Sequence, residues 1–201
     1  MAAHIDRTNR NLRVGVAHHL GWAVVVTASS EYEVVDRRHI ELIEPGLPEA
    51  PIEHETSSLD DDDAGIIVAQ VRASAFRATA KSLDQLAASL PEPIVSISIR
   101  SWPPDFPEDL AVQRRPRYKS RADSVMYCQV LAECAHRRGW DVHLFDARDV
   151  MSQAAARLGD RTDTVLFGPR TRLGPPWTKD HRLALAATVL ASCPPQADVV
   201  G

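Results

Sequence analysis

Three β-rich runs stand so close together in this chain that only one kind of sheet can hold them. They are Arg13 to His18, Trp22 to Ala28 and Glu33 to Ile43, separated by Leu20-Gly21 and by Ser29-Ser30-Glu31. Breaks that short cannot carry the long crossover a parallel pair needs, so the runs are antiparallel neighbours joined by hairpins. In the third run Val34, Asp36, Arg38, Ile40 and Leu42 share one face, and Val35, Arg37, His39, Glu41 and Ile43 the other. Apolar and charged groups mixed on both faces suit a strand near the sheet edge.

The rest of the chain alternates helices and strands. Glu44 to Leu59 is a connector with prolines at 45, 48 and 51, ending in the run Asp60-Asp61-Asp62-Asp63. Those carboxylates read as a helix start, where they cap free N–H groups and oppose the positive end of the dipole. A cation-binding loop would need alternating ligands and a glycine turn, which are missing. A helix from about Asp62 to Leu90 follows, stopped by Pro91 and Pro93. Ile94 to Arg100 alternates as a strand, and a loop from Trp102 to Lys119 leads to a helix over Ser120 to Arg138, ended by Gly139. Trp140 to Phe145 is a strand, Arg148 to Leu158 a helix, and Thr178 to Ser192 a final helix entered through Gly-Pro-Pro-Trp. Trp22, Trp102, Trp140 and Trp177 read as core or loop-edge packing.

This order predicts an α/β fold: a five-stranded mixed sheet, three antiparallel strands followed by parallel ones, with right-handed crossovers and helices on both faces. We expect one domain over 12–193, between a flexible leader, 1–11, and a flexible tail, 194–201. A chain of 201 residues with 44% apolar content can bury such a core without disulfides. Cys128, Cys134 and Cys193 have no C-x-x-C spacing, and the first two diverge on one helix. A reduced, cytoplasmic protein is the expectation, with Cys128 a buried thiol, and no stretch is apolar enough to span a membrane.

The net charge of −4 gives no global attraction to nucleic acid. Any such binding has to come from a local patch, and Arg114-Arg115-Pro116-Arg117-Tyr118-Lys119-Ser120-Arg121 is one, with five basic residues in eight. Arg114, Arg115, Arg117, Lys119 and Arg121 could neutralise phosphates and Tyr118 could stack a base. The alternative is a solvated loop that balances the 27 acids of the chain.

Three segments carry a family resemblance: Val14-Gly15-Val16 followed by Leu20-Gly21-Trp22-Ala23-Val24-Val25, the helix–strand pair from Ala122 to Asp146, and Asp180-His181-Arg182-Leu183-Ala184-Leu185-Ala186-Ala187. Over Leu12 to about Ala191 the chain resembles the ribonuclease H-like superfamily, most of all the RuvC-type Holliday-junction resolvases. The resemblance implies two divalent ions about 3.5–4 Å apart, held by carboxylates of the first strand, the fourth strand and the last helix. Carried onto this sequence, the first acid falls on Ala17, the second near Arg100 or Ser101, and the last pair around Thr178, Asp180 and His181. An alanine holds no metal, and an arginine repels a cation while attracting phosphate.

The resemblance therefore implies a catalytically degenerate protein, an interaction or nucleic-acid-binding module with no cofactor. The alternative is a metal-dependent nuclease or phosphodiesterase whose divalent ion sits in a histidine-rich substitute site. His18, His54, Asp180 and His181 are its candidate ligands, with His19 and Glu55 beside them. Nucleic acid or another polyanion is the expected partner, and homo-oligomerisation stays open.

Overall fold

The structure, a computed structural model, describes residues 11–191. Residues 1–10 of the expected leader, the expected tail and Cys193 lie outside the described residues. Five strands form one sheet: β1 (Leu12–His18), β2 (Trp22–Ala28), β3 (Val34–Glu41), β4 (Ile94–Arg100) and β5 (Asp141–Phe145). Their order is β3-β2-β1-β4-β5. Both hairpin pairs are antiparallel, with Val16 opposite Val25 and Val25 opposite Arg38, while β4 lies parallel to β1 and to β5. The short breaks thus produce the predicted meander, and β3 is an edge strand, with β5 at the opposite edge.

Six α-helices lie among the described residues: α1 (Asp61–Ser89), α2 (Leu110–Gln113), α3 (Pro116–His136), α4 (Val150–Leu158), α5 (Pro169–Leu173) and α6 (Lys179–Leu190). Asp60 caps α1 by accepting a hydrogen bond from the Asp63 N–H at 2.9 Å, the role its sequence suggested. Sequence reading missed α2 and α5 because helices of four and five residues show no periodicity. It also started α3 late, because Pro116 reads as a breaker although proline suits a first helical turn.

Two apolar layers flank the sheet. Val14, Val16, Val25, Ile97 and Ile99 face α1 and α3, meeting Val71, Leu83, Leu86, Tyr127 and Leu131. On the other face Ala17, Val24 and Val26 meet α4 and α6 through Val150, Ala154, Ala184 and Leu185. Gly15 lets α6 approach β1 closely: a Cβ there would stand 1.8 Å from the Ala184 carbonyl oxygen. The Ser98 hydroxyl donates to the Ala187 carbonyl at 3.1 Å and pins the same helix to β4. This contact sets the N-terminus of α6 beside the C-terminal end of β1, where His19 and Asp180 meet.

The proline-rich connector is more ordered than its composition suggests. Pro51–Glu55 forms a single π-helical turn. The Asp123 carboxylate, on α3, accepts from the backbone N–H groups of Ile52 and Glu53 at 3.0 and 2.9 Å. Asp123 is 2% exposed, and burial pushes its carboxyl up to about 6 against the opposing pull of those two N–H groups. Its spacing to Met126, Tyr127 and Val130, all buried, is that of one helix face. An acid on an apolar face was the signal in the sequence for this anchor.

Candidate functional site

Parallel strands end together, and open α/β sheets put their crevices beyond those ends. Here β4 and β5 run out into Arg100, Ser101 and Asp146, and the N-terminal half of α3 crosses opposite them. Between them lies a cleft of about 680 Å³. Arg100, Arg121 and Arg148 line it, with hydroxyls from Ser101, Ser120 and Ser124.

The charges in the cleft do not cancel. Arg148 is held by Asp146, through Nη2 to Oδ2 at 2.6 Å, and these bonds keep the Asp146 carboxyl down at about 2. Among the described residues no carboxylate or carbonyl bonds to the guanidinium of Arg100 or Arg121. Three guanidinium groups thus face the single carboxylate of Asp146 in the cleft, and guanidinium forks match phosphate oxygens. The Arg100 charge is felt at His18, Cys128 and Asp146, which puts it centrally in the site.

A neutral floor lies beneath these arginines. His18, at the end of β1, has Nε2 3.0 Å from Ser124 Oγ and 3.4 Å from Cys128 Sγ. Burial, reinforced by the Arg100 charge, pushes His18 down to about 4, so the imidazole is neutral at physiological pH. Burial also pushes the Cys128 thiol up to about 12, where it is no nucleophile.

The positions that the resemblance assigns to metal ligands do not suit metal ions. Ala17 is buried among the apolar side chains under α6. Arg100 is a cation, and Asp180 pairs with His19 at 3.1 Å. The histidine-rich alternative is not gathered either. His18 turns toward α3, and His54 sits exposed on the connector turn. His181 stays at the first turn of α6, where its Nδ1 accepts from the Thr178 N–H at 3.2 Å as part of a capping box. Among the described residues no three His, Cys, Asp or Glu side chains are arranged to hold a metal ion. Adjacent residues of a strand point to opposite faces, which is why His18 and His19 part company.

The basic run is divided as well. Arg114 points away from the cleft and ties the connector to α1: it bonds Asp61 and donates to the carbonyls of Thr56 at 2.7 Å and Leu59 at 2.5 Å. Its side chain is only 14% exposed. Lys119 donates to Ser57 Oγ at 2.7 Å on the same side. Arg115 and Arg117 are exposed, and Arg121 alone among the five basic residues lines the cleft. The run is therefore partly structural. Arg114→Gln is expected to lower stability by about 1–3 kcal/mol in urea denaturation, because two carbonyls lose their donor. Arg115→Gln, on the surface, is expected to stay within about 0.5 kcal/mol of wild type.

No family model matches the chain, and no curated protein matches it by sequence. Solved structures do match. The chain is similar to Thermus thermophilus RuvC in complex with a Holliday junction substrate, at 12% identity and a TM-score of 0.47, over 90% of this chain and 91% of that one. A second Thermus thermophilus RuvC structure matches at 12% identity and 0.46, over 89% and 91%. The strand order and the antiparallel-then-parallel pairing give the architecture independently. The fold is an α/β one, a five-stranded mixed sheet of order β3-β2-β1-β4-β5 with helices on both faces. Within it, sequence reading placed Arg100 and Arg121 but missed Arg148, Asp146 and Ser124, which no local motif marks. What they share is a place at strand ends and on the facing helix.

Proposed function

We propose that this chain is a catalytically degenerate ribonuclease H-like protein that binds nucleic acid through the arginine-lined cleft, without divalent metal. The observation that carries this reading is the excess of guanidinium groups in the cleft, Arg100, Arg121 and Arg148 against the one carboxylate of Asp146, with Arg100 at a position where a two-metal nuclease needs a carboxylate. Two-metal hydrolysis uses the ions to clamp the scissile phosphate and to generate hydroxide. Arginines can replace the clamp. They cannot replace the hydroxide source, since a guanidinium neither binds water as a Lewis acid nor accepts a proton.

The neighbouring groups support binding over cleavage. His18 is neutral but buried against Ser124 and Cys128, and Asp146 is engaged by Arg148. Hydroxyls of Ser101, Ser120 and Ser124 supply further donors to phosphate oxygens. Because the chain as a whole is acidic, this attraction is local and falls with salt.

The test is cleavage. Purified protein incubated with branched, duplex and single-stranded DNA in magnesium or manganese is expected to leave every substrate intact. Cleavage that persists through purification and disappears in Asp180→Ala would overturn the proposal.

A further inference from the structure

The cleft does not end at Arg121. A second cavity of about 310 Å³ adjoins it, lined by Pro103, Asp105, Phe106, Arg117, Tyr118 and Arg121. Pro103 and Arg121 belong to both walls, so the two form one groove with Arg121 at its waist. Guanidinium groups line both halves, and the second adds the Tyr118 ring.

That ring is fixed in place. Phe106, 9% exposed, meets Tyr118 edge to face at 5.8 Å and is itself packed with Ile52, Ala122 and Val125. The Arg117 guanidinium lies over the Tyr118 ring, 5.3 Å from its centroid, and is a second flat group on which a base can stack. Asp105, on the same wall, offsets part of the positive charge of Arg117 and Arg121, so the Tyr118 ring is what sets this end of the groove apart.

Resting on the reading that the cleft binds nucleic acid, we infer that this groove takes a single strand, with a phosphate against Arg100 and Arg121 and an adjacent base against Tyr118. A base inside a duplex has both faces covered by its neighbours and must be unstacked before it can meet a side chain. A single strand offers its bases freely. Stacking on an aromatic side chain is tolerant of sequence, because every base has a π-face.

Fluorescence anisotropy with a labelled 12-mer of mixed sequence, as single-stranded DNA, single-stranded RNA and the DNA duplex, tests the groove in EDTA. At least one single strand is expected to bind about tenfold or more tightly than the duplex. Tyr118→Ala should remove about tenfold of that affinity while leaving duplex binding unchanged, and Tyr118→Phe, which keeps the ring and its contact with Phe106, should retain it. Equal binding of single strand and duplex, or an equal loss for both in Tyr118→Ala, would overturn the groove and leave the nucleic-acid reading standing. Absence of binding to all three would overturn both.

Discussion

Gly15→Ala is expected to cost more than about 4 kcal/mol and to leave the chain largely unfolded at 37 °C, a loss outside the usual range for one added methyl. The reason is backbone against backbone. The new Cβ would stand 1.8 Å from the carbonyl oxygen of Ala184 and 2.6 Å from its carbon. A flexible side chain can move aside, but a helix carbonyl moves only with the helix. Lifting α6 from β1 would break the Ser98 to Ala187 hydrogen bond and open the layer formed by Ala17, Val26, Leu185 and Val189. Gly65, inside α1 with nothing near its missing Cβ, is the control. Gly65→Ala should stabilise by about 0.5–1 kcal/mol, since alanine is the better helix former. Thermal unfolding by circular dichroism separates the two, and a well-folded Gly15→Ala protein would show that α6 does not seat as described.

The second large effect is in pH. His18 drops from its usual 6.5 to about 4 on folding, so between those values the unfolded chain binds a proton that the folded one does not. Its contribution is fully present above pH 6.5 and is lost as pH falls toward 4, about 3 kcal/mol in all. Asp123 behaves oppositely. Its carboxyl rises from 3.8 to about 6, so the folded chain holds the extra proton and stability declines as pH rises through that window, again by about 3 kcal/mol. The two nearly cancel in wild type. Single substitutions expose them: relative to wild type, His18→Gln should gain stability by about 3 kcal/mol between pH 6.5 and 4, and Asp123→Asn should lose a similar amount. Urea denaturation at half-unit steps of pH measures both. Parallel pH profiles in all three proteins would show that neither group is titrated by folding.

The fold was legible because its strongest constraint is local. Leu20-Gly21 and Ser29-Ser30-Glu31 leave no room for anything but hairpins, and Pro91, Pro93 and Gly139 mark helix ends wherever the chain goes next. Strand order then follows from element order and crossover handedness. The site was legible only in part. Arg100 could be found from its place at the end of a strand, and Arg121 from a basic run. That Arg114 turns the other way depends on where the connector carbonyls of Thr56 and Leu59 lie, which no periodicity records. The histidine cluster failed for a related reason: proximity of strand end and helix start does not fix which of two neighbouring residues points inward. His19 reached Asp180, and His18 went to the opposite face with Ser124.

The proposed hold on phosphate by arginine in place of metal is tested most directly by the salt dependence of binding. The dissociation constant of a single-stranded oligonucleotide would be measured from low to moderate salt, in EDTA and in magnesium at matched ionic strength, for wild type and Arg100→Gln. Equal affinity is expected in EDTA and magnesium, with a plot of log affinity against log salt that falls linearly. In Arg100→Gln that slope should flatten by about 0.7 for the phosphate contact removed. Binding that needs magnesium and vanishes in EDTA, or a slope that Arg100→Gln leaves unchanged, would contradict it.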